Sequence, residues 1–265
     1  MSDISERAIK ALETCNFIIC ENPKHSLKLL NKFGIKKKLI SMHDHNEELI
    51  IQKLSTKLKS EKIVLISDAG SPLISDPGFK LIRHCIKNEV KVSSIPGPTS
   101  IIPALQLSGL AINKFCFAGF FPKTNGKIKD FVDKINKSEV TSVFFVSPHK
   151  MTSCLEILSV EFQDKLVSIS KELTKFNEKT IRCKGSDLKK FASIDKTTKG
   201  EFVVVVEGDY STQKEELNIK NYSKEVEKLL LKFSLTDVVQ IVHKLTGINK
   251  NKVYKWVLNF KKSIS

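Results

Sequence analysis

Residues 62–97 read KIVLISDAGSPLISDPGFKLIRHCIKNEVKVSSIPG, and the way this stretch is punctuated decides the fold class. The apolar run Ile63–Ile66 stops in Ser67-Asp68-Ala69-Gly70-Ser71-Pro72, and a second turn cluster, Ser75-Asp76-Pro77-Gly78, follows at once. Phe79, Leu81, Ile82, Cys85 and Ile86 then recur at helical spacing. A second apolar run, Val90–Ile95, ends in Pro96-Gly97-Pro98-Thr99-Ser100. Short apolar runs bounded by turn residues read as strands buried on both faces. Strand, turn, helix, strand is a βαβ unit, so both clusters are expected at the carboxyl edge of one parallel sheet, where α/β proteins bind ligands. Glycine there admits close backbone approach, and serine and aspartate supply hydrogen-bonding groups. Neither cluster is G-x-G-x-x-G or G-x-x-x-x-G-K-[ST], which removes the dinucleotide and P-loop fingerprints. One such cluster is better explained as a tight turn; two on one edge weigh about equally for a binding site.

The same alternation runs outward in both directions. Asp3 and Glu6 have capping-box spacing ahead of a helix with Ile4, Ala8, Ala11 and Leu12 on one face. A strand over Asn16–Cys20 leads to the loop Glu21-Asn22-Pro23-Lys24-His25-Ser26, then a short helix closed by Gly34. A strand over Leu39–Met42 ends in His43-Asp44-His45-Asn46-Glu47, before a helix over Glu48–Lys59. That loop fits no common zinc spacing, so no metal is expected. It is either a turn capping the next helix or a polar loop over a substrate. Thr99–Leu110 reads as a buried helix. Strands are expected at Phe115–Phe121, Thr141–Val146, Val167–Ser170, Lys179–Lys184 and Glu201–Glu207, the last a central valine run. Few helices separate these strands, which predicts a mixed sheet. A polar linker from Ser211 precedes two or three helical patterns, Lys224–Phe233, Leu235–Leu245 and Lys252–Phe260. The boundaries expected are an N-terminal α/β domain over 1–112, a second α/β domain over 113–210, and a linker with a small helical domain over 211–265.

Length and charge narrow the class. The 265 residues suffice for two domains, and no apolar run approaches the ~20 residues that span a bilayer. The N-terminus lacks a signal-peptide core, so a cytoplasmic protein is expected. Six scattered cysteines without a C-x-x-C read as reduced thiols. The formal charge of +15 supports a polyanionic partner such as RNA. It comes almost wholly from lysine, which an A/T-rich genome would also favour. In the tail, Lys250, Lys252, Lys255, Lys261 and Lys262 with Tyr254 and Trp256 either grip RNA or belong to a packed appendage.

HDHNE (43–47), SDAGSPLISDPG (67–78), IPGPTS (95–100), LSGL (107–110), FAGFFP (117–122), ELTK (172–175), KGEF (199–202), VEG (206–208) and NKVYKW (251–256) occur in that order. Together they resemble the 16S ribosomal RNA (cytidine-2′-O)-methyltransferase family, methyltransferase I of the small subunit, within the tetrapyrrole methylase superfamily. The resemblance covers Asp3 to Leu258. It implies a tetrapyrrole-methylase-like fold of two α/β domains, with S-adenosyl-L-methionine between them. It also implies a homodimer and methyl transfer to a cytidine 2′-hydroxyl of 16S rRNA in the small ribosomal subunit. By position the cofactor is expected at Gly70, Ser71, Ile74, Asp76, Thr99 and Ser100, closed from the second domain by Phe145, Leu173 and Gly200.

A ribose hydroxyl is a weak acid, so a base or positive neighbour would help. Glu21, Lys24, His25, Asp44 and His45 are the unranked candidates, each also explicable as a loop residue. Three departures stand out. Lys24 replaces an arginine of the family loop, losing a bidentate fork. Val146 replaces a carboxylate. A strand and TPIGNL-like loop expected ahead of the first helix do not appear, which predicts an exposed sheet edge and a reading frame continuing upstream of Met1. The rival readings are a corrinoid or porphyrinoid methyltransferase, which needs neither HDHNE nor a basic tail, and a catalytically inactive RNA-binding homologue.

Overall fold

The computed structural model describes residues 2–188, 200–209 and 222–264. The chain forms two compact units, Met1–Glu207 and Gly208–Ser265.

The larger unit opens with helix α1 (Glu6–Thr14), capped by Ser5 rather than by Asp3: the Ser5 hydroxyl accepts the Ala8 N–H at 3.2 Å. Strands β1 (Phe17–Cys20), β2 (Lys38–Ser41) and β3 (Ile63–Ile66) form a parallel sheet in the order β2-β1-β3. Phe17 lies opposite Lys38 and Ile63, and Cys20 opposite Ser41 and Ile66. β1 is therefore central, and all four of its residues are buried. Its side chains alternate between two cores. Phe17 and Ile19 join Met42 and residues of α3 (Glu47–Leu54), α4 (Lys57–Ser60) and α5 (Phe79–Lys87). Ile18 joins Leu12, Cys15, Leu30 and Ile35 on the other face, where α1 and α2 (Pro23–Lys32) pack.

Two expectations for the central stretch are corrected. β3 is half-exposed rather than buried on both faces, because among the described residues it has one neighbour, β1. The run Val90–Ile95 forms no strand: residues 90–99 carry no regular structure, and Val92 is 42% exposed. A strand exists only through a partner's ladder, and the apolar pattern alone does not supply one. The helix expected over Glu48–Lys59 is interrupted at 55–56, giving α3 and α4.

α6 (Ile101–Ser108), closed by left-handed Gly109, leads to a five-stranded sheet ordered β4-β5-β8-β6-β7. These strands are β4 (Phe115–Phe120), β5 (Thr141–Val146), β6 (Leu166–Lys171), β7 (Lys179–Lys184) and β8 (Phe202–Val206). β4 and β5 are parallel and the other pairs antiparallel, so the sheet is mixed as expected. The valine run of β8 is its buried centre. Val203 and Val205 face α6 with Ala104 and Leu105. Val204 and Val206 face α7 (Asn125–Asn136) and α8 (Met151–Glu161).

The smaller unit is a three-helix bundle, α9 (Ser223–Leu230), α10 (Leu235–Thr246) and α11 (Lys250–Ile264). Val226, Val238, Val239, Val242, Ile248, Val253 and Val257 form its core. Among the described residues no helix is long and apolar enough to cross a membrane.

Candidate functional site

β1 and β3 are parallel, so their carboxyl ends deliver Glu21 and Ser67 to one edge. The two exits are tied there: the Asn22 N–H donates to Asp68 Oδ1 at 3.2 Å, across 46 residues of chain. The loop 67–78 turns back on itself, with the Ser67 hydroxyl 3.2 Å from the Ala69 carbonyl and 3.1 Å from that of Gly70. Leu73 and Ser75 hold φ of 71° and 67°, the left-handed region that costs a non-glycine residue about 1–3 kcal/mol. Between them Ile74 stands 45% exposed. Gly78 closes the loop at φ 127°, and a Cβ there would lie 2.8 Å from Leu65 Cδ2, so the position requires glycine. The Asp76 carboxyl is pushed up to about 6 by burial, then by the Glu21 carboxylate and more weakly by Asp68; the Ser67 hydroxyl pulls the other way. Glu21, Asp68 and Asp76 thus concentrate negative charge at the mouth of this loop.

The second half-site is built on the other sheet. The loop after β6 repeats the device: Glu172 (φ 51°) and Thr174 (φ 65°) flank Leu173. The Glu172 carboxylate accepts the Glu201 N–H at 2.8 Å and pairs with Lys175 at 3.0 Å; these two contacts, in that order, hold its pKa below the usual carboxylate range. Lys175 also reaches Glu201 at 3.2 Å, and the Thr174 N–H donates to Glu178 Oε2 at 2.7 Å. Gly200 sits against Glu172 at φ 121°, where a Cβ would meet the Glu172 side chain at 3.0 Å. Leu173 packs with Ile101 and Phe145 in one cluster, next to Thr99 and Ser100 at the start of α6. Phe145 in turn contacts Phe117 and Phe120, ring centroids 5.0 and 5.2 Å apart.

The nine expected cofactor residues fall in two regions of the larger unit. Gly70, Ser71, Ile74 and Asp76 share the strained acidic loop. Phe145 and Leu173 share one apolar cluster with Ile101, Thr99 and Ser100 stand at the start of α6, and Gly200 lies against the Glu172 side chain of the second strained loop. Among the described residues, four of the five non-glycine positions with positive φ flank Ile74 and Leu173.

The five candidate bases divide by setting. Glu21 stands at the end of β1 beside Asp76, and its carbonyl accepts the Ser41 hydroxyl at 2.9 Å. Lys24 and His25 are exposed on the first turn of α2, where Asn22 Oδ1 caps their N–H groups at 3.1 and 3.4 Å. Asp44 and His45 are exposed in the turn after β2. That turn is closed by Asn46, which accepts the His43 N–H at 2.8 Å and donates to the Ser41 carbonyl at 3.2 Å. Among the described residues no three His, Cys, Asp or Glu side chains group as a metal site. Val146 is 2% exposed and packs in the cluster under α7 and α8.

Sequence reading missed Glu47 and Glu172. Glu47 is 3% exposed, and its Oε1 accepts the Leu81 N–H at 2.8 Å, capping α5, whose own N-cap is Gly78. The acid three residues after Asp44 was the visible signal; its partner 34 residues on was not.

The fold is that of a methylase of the tetrapyrrole class: a family model described as Tetrapyrrole (Corrin/Porphyrin) Methylases matches residues 1–189. The fold is shared with a solved structure of diphthine synthase, TM-score 0.58 at 17% identity, over 78% of this chain and 85% of that one. The curated Ribosomal RNA small subunit methyltransferase I of Pasteurella multocida (strain Pm70) is 34% identical over 97% of this chain and 92% of its own length. The protein of the same name from Haemophilus influenzae (strain ATCC 51907 / DSM 11121 / KW20 / Rd) is 35% identical over 97% and 92%. The chain belongs to the ribosomal RNA small subunit methyltransferase I family of the tetrapyrrole methylases.

Proposed function

We propose that this protein is an S-adenosylmethionine-dependent methyltransferase that modifies a cytidine 2′-hydroxyl of 16S rRNA in the small ribosomal subunit. The observation that carries the site is the placement of strained backbone on both sides of Ile74 and Leu173, in loops on the two sheets. Strain of this kind persists where surrounding structure over-determines it, and it clusters at ligand clamps. The family names of the relatives supply the substrate class. Bound S-adenosylmethionine supplies a methyl group already activated on a sulfonium. Gly70, Ser71, Ile74 and Asp76 hold its charged part, where the carboxylates of Asp76, Asp68 and Glu21 favour a cation. Thr99, Ser100, Phe145, Leu173 and Gly200 hold its apolar part. Orienting the ribose hydroxyl for in-line attack supplies much of the rate. The base or positive neighbour that assists is drawn from Glu21, Lys24, His25, Asp44 and His45. Glu21 is favoured among them by its place beside Asp76.

We place the enzyme in the cytoplasm as a homodimer. Exposed Phe79, Ile86, Phe115 and Phe120 on the larger unit support self-association, which light scattering tests.

Calorimetry with S-adenosylmethionine and the Ser71→Trp variant tests the site. Cofactor binding is expected to vanish in a variant that unfolds at the wild-type temperature, because the added bulk enters a half-buried loop outside the hydrophobic cores. Unchanged affinity moves the site elsewhere. Labelled cofactor offered with small ribosomal subunits or with precorrins separates this reading from the corrinoid one. Subunit binding without cofactor binding would leave an inactive homologue.

A further inference from the structure

The C-terminal bundle segregates its charge. Its acids, Glu225, Glu227 and Asp237, lie on α9 and at the start of α10, whereas α11 carries five lysines and no acid. Val253 and Val257 anchor one side of α11 in the bundle core. Trp256 belongs to that side as well: it is half-buried, packs on the core, and stacks on Phe260 with centroids 5.2 Å apart at 7°. It is not an outward base-stacking platform. On the opposite side Lys252, Lys255, Asn259 and Lys262 follow at three- and four-residue spacing, and all are exposed. Ten residues of helix extend about 15 Å, enough to meet several successive phosphates. The face has no large exposed apolar side chain, although Tyr254, 43% exposed, stands at its border. A membrane-seeking helix or a protein hot spot would need apolar surface there.

We propose that the outer face of α11, centred on Lys255 and Lys262 with Lys252 and Asn259 beside them, is an RNA docking surface that holds ribosomal RNA by its phosphates. The proposal rests on the reading of the chain as an rRNA methyltransferase and adds where the RNA is gripped outside the cofactor site. Lysine is suited to this role as a sequence-independent point charge.

The test uses the full-length protein and compares wild type, Lys255→Glu/Lys262→Glu, and the control Lys224→Glu/Lys228→Glu, which makes the same charge change on exposed α9 positions. Affinity for naked 16S rRNA and for small subunits is measured from 50 to 200 mM salt, with cofactor calorimetry in parallel. The α11 pair is expected to lose about tenfold or more in affinity and to flatten the log–log salt dependence by about 1.5–2. Cofactor affinity should be unchanged, and the control should fall much less. Equal losses in both pairs would assign the effect to net charge, and no loss in the α11 pair would leave the face without a role; either overturns the proposal. Lysine dependence on small subunits but not on naked rRNA would make the partner a protein and also overturn it. If wild type binds neither, the docking surface and the rRNA reading fall together. If wild type methylates subunits while the α11 pair binds normally, only the docking surface falls.

Discussion

Asp76 shows how a residue's chemistry depends on neighbours that the chain does not place beside it. Burial and the Glu21 and Asp68 carboxylates raise its folded pKa to about 6 from an ordinary value of 3.8. The native state therefore holds this proton more tightly than the unfolded chain between those two values. Stability from Asp76 is present in full below about pH 3.8 and is lost as pH rises through 6. Without cofactor, Asp76→Asn should raise the urea midpoint at pH 7.5, and this gain should shrink towards pH 5. Midpoints that run parallel from pH 5 to 8 would show that Asp76 does not titrate in this range. Ionisation also equips Asp76 to attract a cation, so the destabilising charge sits where the proposed ligand needs it.

At the scale of elements, a buried hydrogen bond from α5 to Glu47 ties that helix to α3 alongside their shared apolar cluster. α5 begins at Gly78, which offers no side-chain cap, and Glu47 at the start of α3 supplies the missing acceptor. Deleting that acceptor leaves a buried N–H without a partner, at about 1–3 kcal/mol. Glu47→Ala should lower the unfolding free energy by about that amount in urea titrations. Glu47→Gln, which keeps an acceptor oxygen, should recover most of it. An alanine variant within about 0.5 kcal/mol of wild type would mean that water satisfies the Leu81 N–H. The HDHNE segment is thus structural at its last two residues, Asn46 closing the turn and Glu47 capping α5, and exposed in its first three. That division was invisible in the sequence, because capping residues and catalytic loop residues are the same polar types.

For the whole molecule, both proposed half-sites lie in Met1–Glu207, and the basic bundle lies in Gly208–Ser265. A chain ended at Glu207 should keep its affinity for S-adenosylmethionine and lose affinity for the small subunit, as read by calorimetry and subunit pelleting. Equal loss of both would make the bundle part of the cofactor-binding fold.

The sequence by itself determined the α/β alternation, the mixed second sheet with its valine-rich centre, the helical character of the tail, and the family. All of these are written in local periodicity and turn chemistry, which report burial and chain reversal over a few residues. Tertiary structure alone decided which strand is central: among the described residues β1 has two neighbours and β3 one, while Val90–Ile95 pairs with no strand and forms none. It also decided that Trp256 faces inward and Lys255 outward, and that Asp68 meets Asn22 across 46 residues. Apolar pattern tells a segment that it is to be buried. The partner that buries it, and the charges it meets there, exist only once distant parts of the chain have come together.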